Sequence, residues 1–199
     1  VSGTVIKIDD FTDSSGYRKQ SVQIETQGDE WFDGIDLSEA FNGEITLSRE
    51  EIIARIRESG IVGMGGATFP THVKMIVPEG KKAECLIING VECEPYLTSD
   101  HRLMLEHGEE LLTGTRILMM ALGVEKAFIG IENNKTDAID HLTGLSKKYQ
   151  GIEVVPLKVK YPQGGEKQLI KAILGREDPS GKLPIETGCV VQNVGTAVA

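Results

Sequence analysis

Four short apolar runs, residues 83–88, 127–131, 152–157 and 189–192, constrain this chain more than any other feature. Each is nearly continuous in apolar side chains, as in a strand buried on both faces. Parallel strands of that kind need crossover segments, and the crossovers supply the covering helices. The intervening stretches read as those helices. Ser48 and Glu51 form a capping box ahead of Ile52, Ile53 and Ile56, and Gly60 ends that helix. Residues 99–122 read as helix broken near His107-Gly108 and closed by Gly123. Asn134 is expected to cap a helix running to Tyr149, residues 167–174 make another, and Asn193 opens a last one. The pattern predicts an α/β fold: a three-layer, Rossmann-like domain with a mainly parallel sheet over residues 46–199.

Residues 1–45 follow a different rule. Thr4-Val5-Ile6-Lys7-Ile8 alternates, Asp13-Ser14-Ser15-Gly16 offers a turn, and residues 21–26 alternate back, which predicts a small N-terminal β appendage. Trp31 and Phe32 are expected to anchor it to the main domain. The chain starts at Val1 and stops at Ala199 within what reads as a helix start, so a longer parent protein is expected.

Between the first helix and the first apolar run lie Gly63, Gly65 and Gly66, then Pro70, Thr71 and Lys74. Without Cβ atoms, such a backbone can lie flat against a ligand. Pro70 fixes φ, and Thr71 is expected to cap the short turn 72–75. A glycine-rich loop entering a helix, with a lysine close by, suits an anionic cofactor. It is not the dinucleotide fingerprint, which follows a strand. Taken alone, the glycines are better explained by a tight turn between two helices.

Charge and cysteine usage narrow the function classes. A formal net charge of −9 argues against non-specific binding to nucleic acid or anionic lipid. Cys85, Cys93 and Cys189 contain no C-x-x-C pair, so no cysteine-built zinc or iron–sulfur site is expected within this stretch. His72, His101, His107 and His141 lack metal spacing and read as surface residues. No run approaches the roughly 18 apolar residues of a membrane span, so the chain itself is expected to be soluble.

Ligands of open parallel sheets sit outside the carboxyl ends of the strands. Loops 89–96, 161–166 and 192–196 leave such ends, and with the glycine loop they could enclose one pocket. Glu92, Glu94 and Glu166 would accept hydrogen bonds from ribose or ring N–H groups, although scattered surface acids fit the spacing equally well. Lys74 is a candidate phosphate or ring-oxygen partner, and Asn193 and Thr196 at a helix start form a candidate phosphate seat.

The segment Gly63-Met64-Gly65-Gly66-Ala67-Thr68-Phe69-Pro70-Thr71 resembles the flavin loop G-R-G-G-A-G-F-P-T of the NADH-binding flavoprotein subunit of respiratory complex I. Asn89-Gly90-Val91-Glu92-Cys93-Glu94-Pro95 is similar to that family's N-A-D-E-x-E-P. Tyr161-Pro162-Gln163-Gly164-Gly165-Glu166 is similar to its Y-x-C-G-E-E, and Val191-Gln192-Asn193-Val194-Gly195-Thr196 to its V-N-N-V-E-T. The spellings of the first three motifs are closer still to the subunit designated C in the Rnf ion-translocating electron-transport complex, with residues 1–45 resembling the end of its barrel-sandwich module. The resemblance implies FMN held by Gly63, Gly65, Gly66, Lys74, Asn89, Glu92, Gly164, Gln192, Asn193 and Thr196. It implies NAD(H) near Phe69 and Tyr161, reached by Glu94 and Glu166 as the catalytic pair. Met64, Val91 and Gly165 depart from the complex I motifs, and the loss of an aspartate at Val91 implies weaker FMN retention.

The resemblance further implies hydride exchange between NAD(H) and FMN, with electrons passed to [4Fe–4S] clusters carried by a further domain, beyond a β-grasp segment. Partners would be the other subunits of a membrane-bound complex and, indirectly, ferredoxin, on the cytoplasmic side of a bacterial membrane. Two alternatives stay open: the flavin domain of a soluble cobalamin reductase, and a non-catalytic scaffold with an empty site.

Overall fold

The computed structural model describes residues 2–31, 33–35, 41 and 43–199. The chain divides into two compact units, Val1–Phe41 and Asn42–Ala199. In the first, β1 (Gly3–Thr12) and β2 (Arg18–Thr26) pair antiparallel, from Gly3↔Thr26 to Thr12↔Arg18, with an irregularity between Val5 and Lys7. The Asp13 carboxylate accepts the Ser15 and Tyr17 N–H groups in the turn. The Lys19 ammonium beside it holds that carboxyl down to about 2. Ile6, Ile8, Val22 and Ile24 of the hairpin stay exposed. Of the two expected anchors, Trp31 is exposed and Phe32 lies outside the described residues.

In the second unit, α1 (Arg49–Glu58) starts with the expected capping box, Ser48 and Glu51 each satisfying the other's backbone N–H. Such a cap contributes about 1 kcal/mol. After α2 (Thr71–Lys74) come β3 (Cys85–Asn89), α3 (Ser99–Glu106) and α4 (Gly108–Leu122). Then follow β4 (Ala127–Glu132), α5 (Thr136–Ser146), β5 (Ile152–Leu157) and α6 (Glu166–Leu174). A 3-10 turn (Pro184–Thr187), β6 (Cys189–Asn193) and α7 (Val194–Val198) complete the described elements.

The sheet order is β5-β4-β3-β6, with every pairing parallel. Buried side chains on one face of the sheet, Leu86, Ile88, Ile129 and Ile131, pack with those of α1, α3, α4, α5 and α7. On the other face Ile87 and Val191 pack with Leu169 and Ile170 of α6. Each such fully buried side chain contributes about 1.5–3 kcal/mol. The chain steps outward from β3 through β4 to β5, then returns through α6 to the opposite side of β3. That reversal puts the topological switch point between β3 and β6.

α4 and α7 meet at close range. A Cβ on Gly114 would lie 1.7 Å from the Ala197 carbonyl oxygen, so only glycine permits this approach. The expected break falls at His107, and Gly123 ends α4 in the left-handed region at φ 72°. Two expected caps are displaced. Pro70, at φ −59° and ψ 121°, is the N-cap of α2, so Thr71 is already helical and its buried hydroxyl has no protein partner. Lys135, not Asn134, is the N-cap of α5, which ends at Ser146. Among the described residues no helix is long and apolar enough to cross a membrane.

Candidate functional site

The four loops singled out by sequence come together at the carboxyl ends of β3 and β6. Gly65 adopts φ 68°, and a Cβ there would lie 2.9 Å from Asn193 Nδ2, so the glycine loop rests directly on the end of β6. The Met64 N–H donates to Thr196 Oγ1 at 2.9 Å, a second tie between the same loops. Asn193 is a true N-cap, accepting the Gly195 N–H at 2.8 Å. Its amide Nδ2 donates to Asp100 Oδ2 at 2.7 Å.

The loop after β3 binds the loop before α6. Asn89 Nδ2 donates to the Gly164 carbonyl at 2.9 Å, while Asn89 Oδ1 accepts the Val91 N–H. The Gly164 N–H donates to Cys93 Sγ. Lys74 donates from α2 to the Val191 carbonyl at 2.9 Å and to Glu166 Oε1 at 3.2 Å, joining α2, β6 and α6. Val91, where the complex I pattern has an aspartate, is buried among apolar neighbours.

Glu92 has a different neighbourhood. Its side chain is 3% exposed, and its oxygens accept from the N–H groups of Asp100 and His101 and from Ser99 Oγ at the start of α3. Thr98, the N-cap of α3, makes no side-chain cap, so Glu92 supplies one from outside the helix. The negative charge there is also favoured by the helix dipole.

The expected nicotinamide group is more open. Phe69, Lys74 and Glu166 line an apolar cleft of about 270 Å³ with Val73, Val77 and Leu183. Glu94 and Tyr161 lie together, and the hydrogen bond and charge of Glu94 push the Tyr161 phenol above its usual value. Both Phe69 and Tyr161 are exposed.

A flat, multiply hydrogen-bonding group fits the residues present. Gln192, 3% exposed at the end of β6, keeps an amide nitrogen without a protein partner. Gly66 faces open space where a Cβ would stand. By contrast, the described residues contain no cluster of His, Cys, Asp or Glu able to hold a metal ion. Cys85 and Cys189 are register partners on β3 and β6, and burial pushes the Cys189 thiol up to about 11. Sequence reasoning passed over Asp100, Glu132 and Lys135. The i,i+3 spacing of Glu132 and Lys135 was the one visible signal, and it occurs on many exposed helices.

Comparison with known proteins bears on this site. The chain is 50% identical over its full length to the subunit designated C in the proton-translocating ferredoxin:NAD(+) oxidoreductase complex of Clostridium ljungdahlii, covering 43% of that relative. It is 50% identical over 99% of its length to the corresponding subunit of the Na(+)-translocating complex of Acetobacterium woodii, covering 44% of it. The chain thus spans less than half the length of these relatives. A crystal structure of NAD+-reducing [NiFe]-hydrogenase in the air-oxidized state superposes with a TM-score of 0.68 at 26% identity, over 76% of this chain and 29% of that one. Residues 56–199, which contain all four interlocked loops, match the Nuo51 FMN-binding domain, and the chain belongs to that family.

Proposed function

We propose that this chain is the flavin- and NAD(H)-handling portion of an ion-translocating ferredoxin:NAD oxidoreductase complex of the Rnf type. The observation that carries this reading is the interlock of four loops around the β3–β6 switch point, with Gly65 against Asn193 and Asn89 on Gly164. FMN bound there supplies two-electron exchange with a nicotinamide and one-electron exchange with an iron–sulfur centre.

The residues of the chain bind, orient and shield. Gly63, Gly65 and Gly66 offer backbone free of side chains to a ring face. Lys74, Asn89, Gly164, Gln192, Asn193 and Thr196 offer polar groups from the converging loops, and Glu92 holds α3 in register beneath them. Phe69 supplies an apolar wall for NAD(H), with Glu166 beside Lys74 in the same cleft, and the Glu94–Tyr161 pair adds an acid and an exposed aromatic ring from two of the converging loops. In this reading Glu94 and Glu166 orient the nicotinamide. The [4Fe–4S] clusters, the route to ferredoxin and the ion-translocating subunits lie outside this stretch. The assembly would sit peripherally on the cytoplasmic face of a bacterial membrane.

Titration of the flavin-stripped protein with FMN tests the reading, with a saturable change in flavin fluorescence as the expected result. Absence of saturation would remove the flavin site. With FMN loaded, NADH is expected to bleach the flavin once, and residues 1–199 are expected not to turn over ferredoxin. Steady ferredoxin reduction by this stretch would mean that no cluster domain is needed.

A further inference from the structure

A buried cation stands beneath the candidate site and has no part in the function proposed above. Lys135 is 7% exposed, with Nζ 3.1 Å from Glu132 Oε2 and 3.9 Å from Glu92 Oε2. Glu132 is 1% exposed, and its other carboxylate oxygen has no protein partner. An ammonium withdrawn from water is unfavourable unless neighbouring charge holds it there. Lysine is also a poor choice of N-cap for α5, where Asn, Asp or Ser would satisfy the helix better. Lys135 makes no side-chain cap; its charge is directed at the two carboxylates.

From Lys135 the contacts lead stepwise to the site. Glu92 accepts the Asp100 N–H at 2.8 Å and the His101 N–H at 3.1 Å, which fixes the first turn of α3. Asp100, in that turn, accepts from Asn193 Nδ2, and Asn193 is the residue against which Gly65 rests. Burial pushes the Asp100 carboxyl up, the Asn193 hydrogen bond draws it down, Glu92 raises it and Lys135 lowers it. The same lysine therefore favours the carboxylate form of Asp100, which accepts from Asn193.

We propose that Lys135 is a positioning residue for flavin binding. It is the cation shared by the buried carboxylates of Glu92 and Glu132, so that Glu92 keeps its grip on α3 and Asp100 keeps Asn193 set against the glycine loop. The proposal rests on the flavin reading of the site and deepens it. Removing Lys135 leaves two buried carboxylates without their shared cation, and one of them, Glu92, is bound to the first turn of α3.

The test compares variants of the intact protein for FMN affinity and, without flavin, for thermal unfolding. Lys135→Met is expected to raise the FMN dissociation constant about tenfold or more, and Lys135→Arg to stay within about threefold of wild type. Because Lys135→Met can fail to fold, a second variant pairs it with Glu132→Gln, which removes the more deeply buried of the two orphaned charges. This double variant is expected to unfold near the wild-type temperature yet bind FMN about tenfold more weakly, since Glu92 still lacks its cation. Wild-type FMN affinity in the folded double variant overturns the proposal, because Lys135 would then do no more than neutralise Glu132. Equal weakening in Lys135→Arg overturns it as well, because charge would not be what matters. Absence of FMN binding by the wild type overturns the flavin reading itself, and the proposal with it.

Discussion

The candidate site has two halves built on opposite plans. In the half formed by Asn89, Glu92, Asn193 and Thr196, every one of those side chains is hydrogen-bonded to another part of the protein. In the half formed by Phe69, Glu94 and Tyr161, the groups are exposed and the aromatic faces are uncovered. The first half is organised before any ligand arrives, and its hydrogen bonds belong to the stability of the folded domain. The second makes few demands on folding and leaves its surface for something to cover. Mutations in the two halves should therefore separate stability from ligand handling.

The largest effect is expected where the first half is braced. Gly114→Ala drives a methyl group into the Ala197 carbonyl and should destabilise the domain by about 3 kcal/mol, read from denaturant unfolding. A change below about 0.5 kcal/mol would show that α7 yields freely and that the seat is not braced from behind. Gly65→Ala combines left-handed strain with a clash on Asn193, and is expected to lose about 1–2 kcal/mol together with FMN affinity. Asn193→Ala removes a cap from α7 and the partner of Asp100, and should lose about 1 kcal/mol by the same measurement.

Glu94→Gln, in the open half, should change stability by less than about 0.5 kcal/mol. It should leave flavin content unchanged while slowing flavin reduction by NADH; equal loss of both would place Glu94 in the flavin seat. The variant also has a pH signature. Glu94 raises the folded-state pKa of Tyr161, so its contribution is fully present below the ordinary tyrosine value and is lost as pH climbs through the raised one. With glutamine in place, the phenolate should appear at lower pH in an ultraviolet titration. An unmoved titration would separate the two residues.

The two halves were also unequally legible. The sheet could be read from composition, because runs such as 83–88 and 127–131 have no stable home except between two layers. The meeting of loops 89–96, 161–166 and 192–196 followed from the rule that the carboxyl ends of parallel strands lie along one edge, whereas the glycine loop leaves no strand and was tied to them through its motif. Glu92 was legible as a site residue only through its motif, and its partners at the start of α3 lie several residues away and depend on the turn between. Lys135 left only its i,i+3 spacing from Glu132 in the sequence, and a lysine at a helix start reads as solvated until the surrounding elements are in place. Thr71 and Asn134 were misplaced as caps for a local reason. The residue adjoining each, Pro70 before Thr71 and Lys135 after Asn134, is the one that holds the non-helical backbone angles.

The Gly114–Ala197 approach has a mechanical consequence. About two turns beyond Gly114, the Ala121 carbonyl accepts from Arg49 Nε at the first turn of α1. The far end of α1 runs into the glycine loop, and that loop returns through Met64 to Thr196, next to Ala197. The path is a closed hoop: α7, α4, α1, glycine loop, and α7 again. A hoop cannot open at one point while the rest stays still, so the seat should breathe only when the whole ring does. Amide exchange at Met64 would then keep pace with exchange in the middle of α4, although one lies in an exposed loop and the other in a buried helix.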